Sequence, residues 1–335
     1  MTRTVTLGLF VLLWSVLPVP EVLANPTHLF KIASLAPEGS IWVDSFKDFA
    51  AEVTEKSGGE IGFRIYPGGV MGDDRTMYRK MRVGQLQGGG FTMTGISDIV
   101  PDFGVMGIPF LFHSYEEVDA VSAQLQPSFK KRFAEQGLHF VAMTEVGFIY
   151  TFSNKPRVTI EDLRQAKTWA PSEDPLTAAF LKSLGISPIT LDIPDVLSSL
   201  QTGLIDTAFN SLYGSIVLQW YTKAPFVTDA PYGYAYGVFI ISEKAMSKLS
   251  DEQKRLLDDI AEKYFSALIL KTRQSNKDSR KVLADQGVTF VQTTPEVLKT
   301  LEGYRDKAVE TAIGESFSEE IYLATQKALD TFRSK

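Results

Sequence analysis

The sequence predicts an α/β protein of two domains, on three observations. Strand and helix patterns alternate along most of the chain. Its 335 residues exceed what a single hydrophobic core ordinarily organises. A helix end, a glycine and a strand-like run occur twice, at Met81-Arg82-Val83-Gly84-Gln85-Leu86-Gln87 and at Leu200-Gln201-Thr202-Gly203-Leu204-Ile205-Asp206. Each unit leads into a polar and aromatic tip, Phe91-Thr92-Met93-Thr94 and Phe209-Asn210-Ser211-Leu212-Tyr213. Open, largely parallel sheets covered by helices are expected, with ligands gathering at the carboxyl ends of strands.

The elements follow in order. Arg3, an apolar run over 5–17, two prolines and Val22-Leu23-Ala24 precede Asn25, the pattern of a cleaved secretory signal. Such a run makes a helix about 20 Å long, short of the roughly 30 Å hydrocarbon core. Residues 1–24 are therefore read as a signal peptide, and the remainder as soluble outside the cytoplasm. Ser40 caps a helix carrying Trp42, Phe46, Phe49 and Val53, which Gly58-Gly59 stops. Residues 61–66 alternate as a half-buried strand before the turn at Pro67-Gly68-Gly69. A short helix holds Met77 and Met81; Ser114 and Glu117 form a capping box for the next. Residues 138–144 and 148–152 read as two strands, and Val238 to Ile241 as another. Asp174-Pro175 opens a helix that Gly185 closes. Residues 250–285 contain neither Pro nor Gly and begin with a capping box at Ser250 and Gln253. They form either one helix about 50 Å long, spanning both domains, or two helices broken near 274–277.

Composition removes several chemistries. There is no cysteine, so no disulfide, thiolate nucleophile or Cys metal site exists, and His28, His113 and His139 form no metal motif. Lys+Arg 34 against Asp+Glu 40 leaves −6, which gives no overall basic surface for nucleic acid. Gly88-Gly89-Gly90 lacks nucleotide-loop spacing, and no nucleophile stands beside a base. No cofactor is implied. Asp73-Asp74, between Gly72 and a helical pattern, reads as a helix cap before it reads as a carboxylate pair.

Five segments in order carry a family resemblance. They are Ile65-Tyr66-Pro67-Gly68-Gly69-Val70-Met71-Gly72-Asp73-Asp74, Gly107-Ile108-Pro109-Phe110-Leu111, Phe152-Ser153-Asn154-Lys155-Pro156, Asp162-Leu163-Arg164-Gln165-Ala166-Lys167-Thr168-Trp169-Ala170-Pro171, and the second glycine unit at 200–206. Together they resemble the solute-binding subunit of tripartite ATP-independent periplasmic (TRAP) transporters, over about residues 28–333. The resemblance implies a two-lobed periplasmic clamshell with interleaved lobes and a long spine helix. It places lobe 1 at 25–150 with 236–250 returning to it, lobe 2 at 151–235 with the C-terminal helices, and the spine at 251–285. The C-terminal strand and helices occupy 286–335. It also implies partners: a small-molecule solute, and the small and large membrane subunits of a permease. The chain itself is not expected to span the membrane.

This sequence departs from the family pattern where an organic acid is usually held. The Lys-x-Arg-x-Pro strand reads Lys167-Thr168-Trp169-Ala170-Pro171, and Gly147-Phe148-Ile149-Tyr150 has Ile149 at a second arginine position. The asparagine after the second glycine unit is kept as Asn210, and Asp195 stands for a usual glutamate. Trp169, Asn210 and Tyr213 are the first candidate ligand contacts, joined by Ile149, Phe209, Ser172, Thr92, Phe91, Ile193 and Asp73. Lys155 could add a positive charge. A solute less anionic and more hydrophobic or aromatic than the family's usual acids is expected. A receptor serving a sensor without transport, or a periplasmic enzyme, are the other readings.

Overall fold

The computed structural model describes residues 25–172 and 174–334; the signal segment expected over 1–24 lies outside the described residues. Nine strands and twelve α-helices follow one another among them. The first half runs β1 (His28–Ser34), α1 (Ile41–Lys56), β2 (Ile61–Tyr66), α2 (Asp74–Arg82), β3 (Gly88–Thr92), α3 (Met93–Ser97) and α4 (Tyr115–Glu135). Strand β4 (Leu138–Ser153) then leads to α5 (Ile160–Arg164), β5 (Trp169–Pro171), α6 (Pro175–Ser183), β6 (Ile189–Leu191), α7 (Val196–Thr202), β7 (Thr207–Asn210) and α8 (Leu212–Val217). Strand β8 (Phe226–Ser242) returns to α9 (Glu243–Met246), and α10 (Asp251–Asp285), β9 (Thr289–Val291), α11 (Pro295–Ala312) and α12 (Glu319–Arg333) complete the chain.

One seven-stranded sheet, in the order β2-β1-β3-β8-β4-β7 with β9 on β8, holds the molecule together. β1 pairs parallel with β2 and β3, but β8 is antiparallel to both β3 and β4, and β4 is antiparallel to β7. The sheet is therefore mixed rather than largely parallel. The two strands expected at 138–144 and 148–152 are one strand of 16 residues. It survives Gly147 because three register shifts, one of them between Glu145 and Gly147, absorb the irregularity.

The β4–β8 ribbon crosses between two halves. At one end β8 pairs with β3 through Gly237 to Ile241, and at the other β4 pairs with β7 through Tyr150 to Ser153. Aromatic clusters cover both faces of the first half: Phe46, Phe49, Phe239 and Phe265 on one, and Phe103, Phe129, Phe133 and Tyr236 on the other. The second half is packed around Trp169, Trp220, Leu200 and Val227, and around Phe180, Leu184 and Leu301.

Helix α10 is unbroken over 35 residues. Leu257, Phe265 and Leu268 bury in the first half and Leu283 in the second, so it spans both. Ser250 and Gln253 close a full capping box at its start. At α4 the box is half made. Ser114 caps Glu117, whose carboxylate instead takes the His113 N–H and Arg333. Arg333 belongs to α12, which packs on α4. The last helix thus lies on the first half, not with the second lobe where the C-terminal helices were expected. Its Ile321 and Leu329 share a core with Phe129.

Candidate functional site

The two repeated tips meet at one place. Thr92 ends β3 and caps α3 by accepting the Gly95 N–H at 3.0 Å; Ser211 follows β7 and caps α8 by accepting the Gly214 N–H at 3.0 Å. Between them lies a cavity of about 210 Å³. The first half contributes Trp42, Phe91, Thr92 and Thr94, the second Ile149, Trp169, Phe209 and Asn210, and the ribbon Glu145, Tyr234 and Tyr236.

Trp169 is 3% exposed and meets Trp220 edge-on at 5.3 Å. Its indole N–H donates to the Leu191 carbonyl at 2.9 Å. It therefore offers the cavity carbon surface, and its one donor is committed. Asn210 is oriented by its Oδ1, which accepts the Ser211 N–H at 2.8 Å, leaving the Nδ2 donors without a protein partner among the described residues. A Cβ on Gly214 would stand 2.2 Å from that Oδ1, so the close turn into α8 requires glycine. Phe209 stacks on Tyr232 at 4.6 Å, and the Tyr232 hydroxyl lies 3.1 Å from Thr177 Oγ1.

Other expected contacts sit elsewhere. Ser172 and Asp73 line a side chamber of about 30 Å³ that shares Thr92 and Ile193 with the main cavity. Asp73 caps α2 by accepting the Thr76 N–H at 2.8 Å. Beside it, Asp74 accepts the Thr92 hydroxyl at 2.6 Å. Burial, and then the nearby charges of Asp73 and Asp192, push the Asp74 carboxyl up to about 7 against those hydrogen bonds. Lys155 is exposed at the far end of β4 and lines no part of the cavity.

Tyr213 does not line the cavity either. Its hydroxyl accepts the Ile41 N–H at 3.0 Å and its ring meets Trp42 edge-on at 5.1 Å. The first N–H groups of a helix have no intrahelical acceptor, so a hydroxyl from the opposite half makes a latch across the cleft. Trp42 adds to it, donating its indole N–H to the Glu145 carbonyl at 2.9 Å. Replacing Tyr213 by Phe removes an acceptor worth about 1 kcal/mol. It is expected to raise the share of open molecules about fivefold, read as a larger radius of gyration by small-angle scattering at unchanged melting temperature.

Trp42, Asp174 and Glu145 line the cavity without a local signal in the sequence. Trp42 shares the helical spacing of Phe46, Phe49 and Val53, which reads as a core stripe, yet it is only half-buried. Asp174 reads as a helix opener. Glu145 is 2% exposed and bonded to Arg273 (Nη2 to Oε2 at 2.9 Å) and to the Tyr234 hydroxyl at 3.0 Å. Its partner is distant in sequence, so no local signal marks it. Desolvation raises the Glu145 carboxyl despite those bonds.

Residues 32–315 match the sequence profile of the bacterial extracellular solute-binding proteins, family 7. The ectoine-binding periplasmic protein TeaA of Halomonas elongata is 22% identical over 306 residues, covering 88% of this chain and 85% of its own length. The sialic acid-binding periplasmic protein SiaP of Vibrio cholerae is 26% identical over 252 residues, covering 71% and 75%. Among solved structures, the sugar acid binding protein of Advenella mimigardefordensis in complex with galactonate superposes with a TM-score of 0.86 at 20% identity. That alignment covers 92% of this chain and 99% of the other.

Proposed function

This chain belongs to the bacterial extracellular solute-binding proteins of family 7, the receptor subunits of TRAP transporters, and within that family we propose that it captures for its permease an organic solute less anionic and more hydrophobic or aromatic than the family's usual acids. Such receptors bind solutes rather than transform them, and they work with membrane permease subunits. No helix among the described residues is long and apolar enough to cross a membrane, so passage of the solute falls to the two permease subunits. The periplasm is the compartment that this division of labour requires.

One observation carries the ligand reading: the described lining of the inter-lobe cavity contains neither arginine nor lysine. Ile149 and Trp169, which stand where the resemblance implies arginines, both line the cavity. A carboxylate moved into a closed cleft loses several kcal/mol of hydration unless charged partners replace it. The residues present replace it poorly, because the Trp169 N–H is already bonded and the described wall carries the carboxylates of Glu145 and Asp174 with neither arginine nor lysine. Aromatic walls recover free energy from apolar area instead, at about 25 cal/mol per Å².

Calorimetry tests this directly. Succinate is expected to give no measurable heat of binding, while aromatic and alicyclic solutes bind and weaken about thirtyfold in Trp169→Ala, by loss of roughly 2 kcal/mol of buried contact. Tight succinate binding that is indifferent to Trp169→Ala overturns the reading.

A further inference from the structure

The described cavity wall carries two carboxylates, and they are not equivalent. Glu145 is matched by Arg273, whose guanidinium lies behind the wall. Asp174 has no such cation among the described residues. It accepts the Thr177 N–H at 2.9 Å as the cap of α6, with the Leu176 N–H and the Thr177 hydroxyl also hydrogen-bonding to it, but these neutral donors supply no counter-charge. The α6 N-terminus offers Asp174 partial positive charge, yet burial still pushes its carboxyl above the ordinary range.

What surrounds this carboxylate fits a cation. Phe209 and Tyr232, stacked on one another, both line the same cavity, and aromatic rings attract cations through the ring quadrupole. Toward the α8 side of the cavity, the Asn210 amide offers two unused donors. We propose that the solute carries a cationic nitrogen, held by Asp174 against the Phe209–Tyr232 pair, and a hydrogen-bond acceptor that takes the Asn210 amide. This rests on the reading of the cavity as a site for a non-anionic organic solute, and it names the charge that reading left open. An ammonium supplies the counter-charge that the wall lacks, and it removes the penalty of an unpaired carboxylate in a closed cleft.

Three matched probes test it in the full chain: 2-phenylethylammonium, 2-phenylethanol and phenylacetate, titrated at pH 7 into the unmodified protein and into Asp174→Asn. Asparagine keeps the cap on α6, since it accepts the Thr177 N–H as well as aspartate does, so the variant removes charge and not the fold. The expected result is about tenfold tighter binding of the ammonium than of either other probe, falling to about equal binding in Asp174→Asn. Equal binding of ammonium and alcohol, unaltered by the variant, overturns the cationic assignment and leaves the apolar reading intact. Tightest binding of phenylacetate overturns both. Absence of binding by the ammonium at millimolar concentration overturns the assignment alone.

Discussion

Arg273→Ala is expected to destabilise the protein by about 3 kcal/mol at neutral pH, because it strands a buried carboxylate. Arg273 reaches Glu145 with Nε at 3.0 Å and Nη2 at 2.9 Å, and also holds Asp119 with Nη1 at 2.9 Å. Against its own desolvation, the bonds to Asp119 and Glu145 keep the guanidinium firmly protonated. Asp119 is exposed, and losing its pair matters little. Glu145 is 2% exposed and keeps only the Tyr234 hydroxyl. The pH dependence has a definite sign. An acid whose folded pKa is raised binds more protons folded than unfolded, so stability falls as pH rises from the usual carboxylate range through the folded value. Burial already raises Glu145 with Arg273 present, and removing the cation raises it further. Urea unfolding should therefore show the largest deficit above neutrality and a smaller one at pH 5. Adding Glu145→Gln to Arg273→Ala should recover more than half of the loss. A deficit that is flat with pH and not rescued would mean that the guanidinium acts through packing on Tyr115 alone.

Gly147→Ala is the second large effect, expected at about 2–4 kcal/mol. Gly147 has φ of +105°, a region that L side chains rarely adopt. A Cβ there would meet Asn276 Nδ2 at 2.5 Å and Tyr115 Oη at 3.0 Å. Asn276 is no passive neighbour. From α10 it donates to the Val146 carbonyl at 2.9 Å and accepts the Tyr213 N–H at 3.0 Å. One amide thus ties the spine to the bulged strand and to the latch helix α8, and the new methyl would displace it. Gly233→Ala is the control. Gly233 lies on the same ribbon, has no positive φ, and an added Cβ comes no nearer than 3.9 Å to Pro109 Cα. Chemical denaturation should find Gly233→Ala within about 1 kcal/mol of the parent. Equal losses in the two variants would show that the ribbon resists any added methyl, and that nothing special resides at Gly147.

How much was legible depends on whether the signal was local. The Ser40, Ser250 and Asp174 caps were, since each needs a side chain to reach only three residues along. The unbroken α10 was half legible: its composition permitted one helix, but only burial at both Phe265 and Leu283 selects it over two. The tips at Phe91 and Phe209 were legible as a repeat, because each strand end is followed by its own helix cap. The antiparallel run of β8 beside β3 and β4 was not, since register between residues about a hundred apart leaves no trace in either strand. Tyr213 illustrates the limit. Its position beside Asn210 suggested a ligand contact, yet an aromatic side chain reaches several ångströms, and this one extends to α1 across the cleft. Asp174 shows the converse: the capping pattern that accounts for it hides its place on the cavity wall.

The β4–β8 ribbon also bears on how the chain comes to be folded at all. β8 lies between β3 and β4, so the central sheet stays interrupted until residue 242 has been made. The chain passes between the halves in β4, β8, α10 and α11, and α12 closes on α4 far behind it in sequence. No contiguous stretch of the polypeptide contains a whole half. A growing chain accordingly has no early subunit to settle into, and its long-range pairings form together, slowly, after most of it is available. The two halves therefore complete their cores only together, because β8 and α10 belong to both.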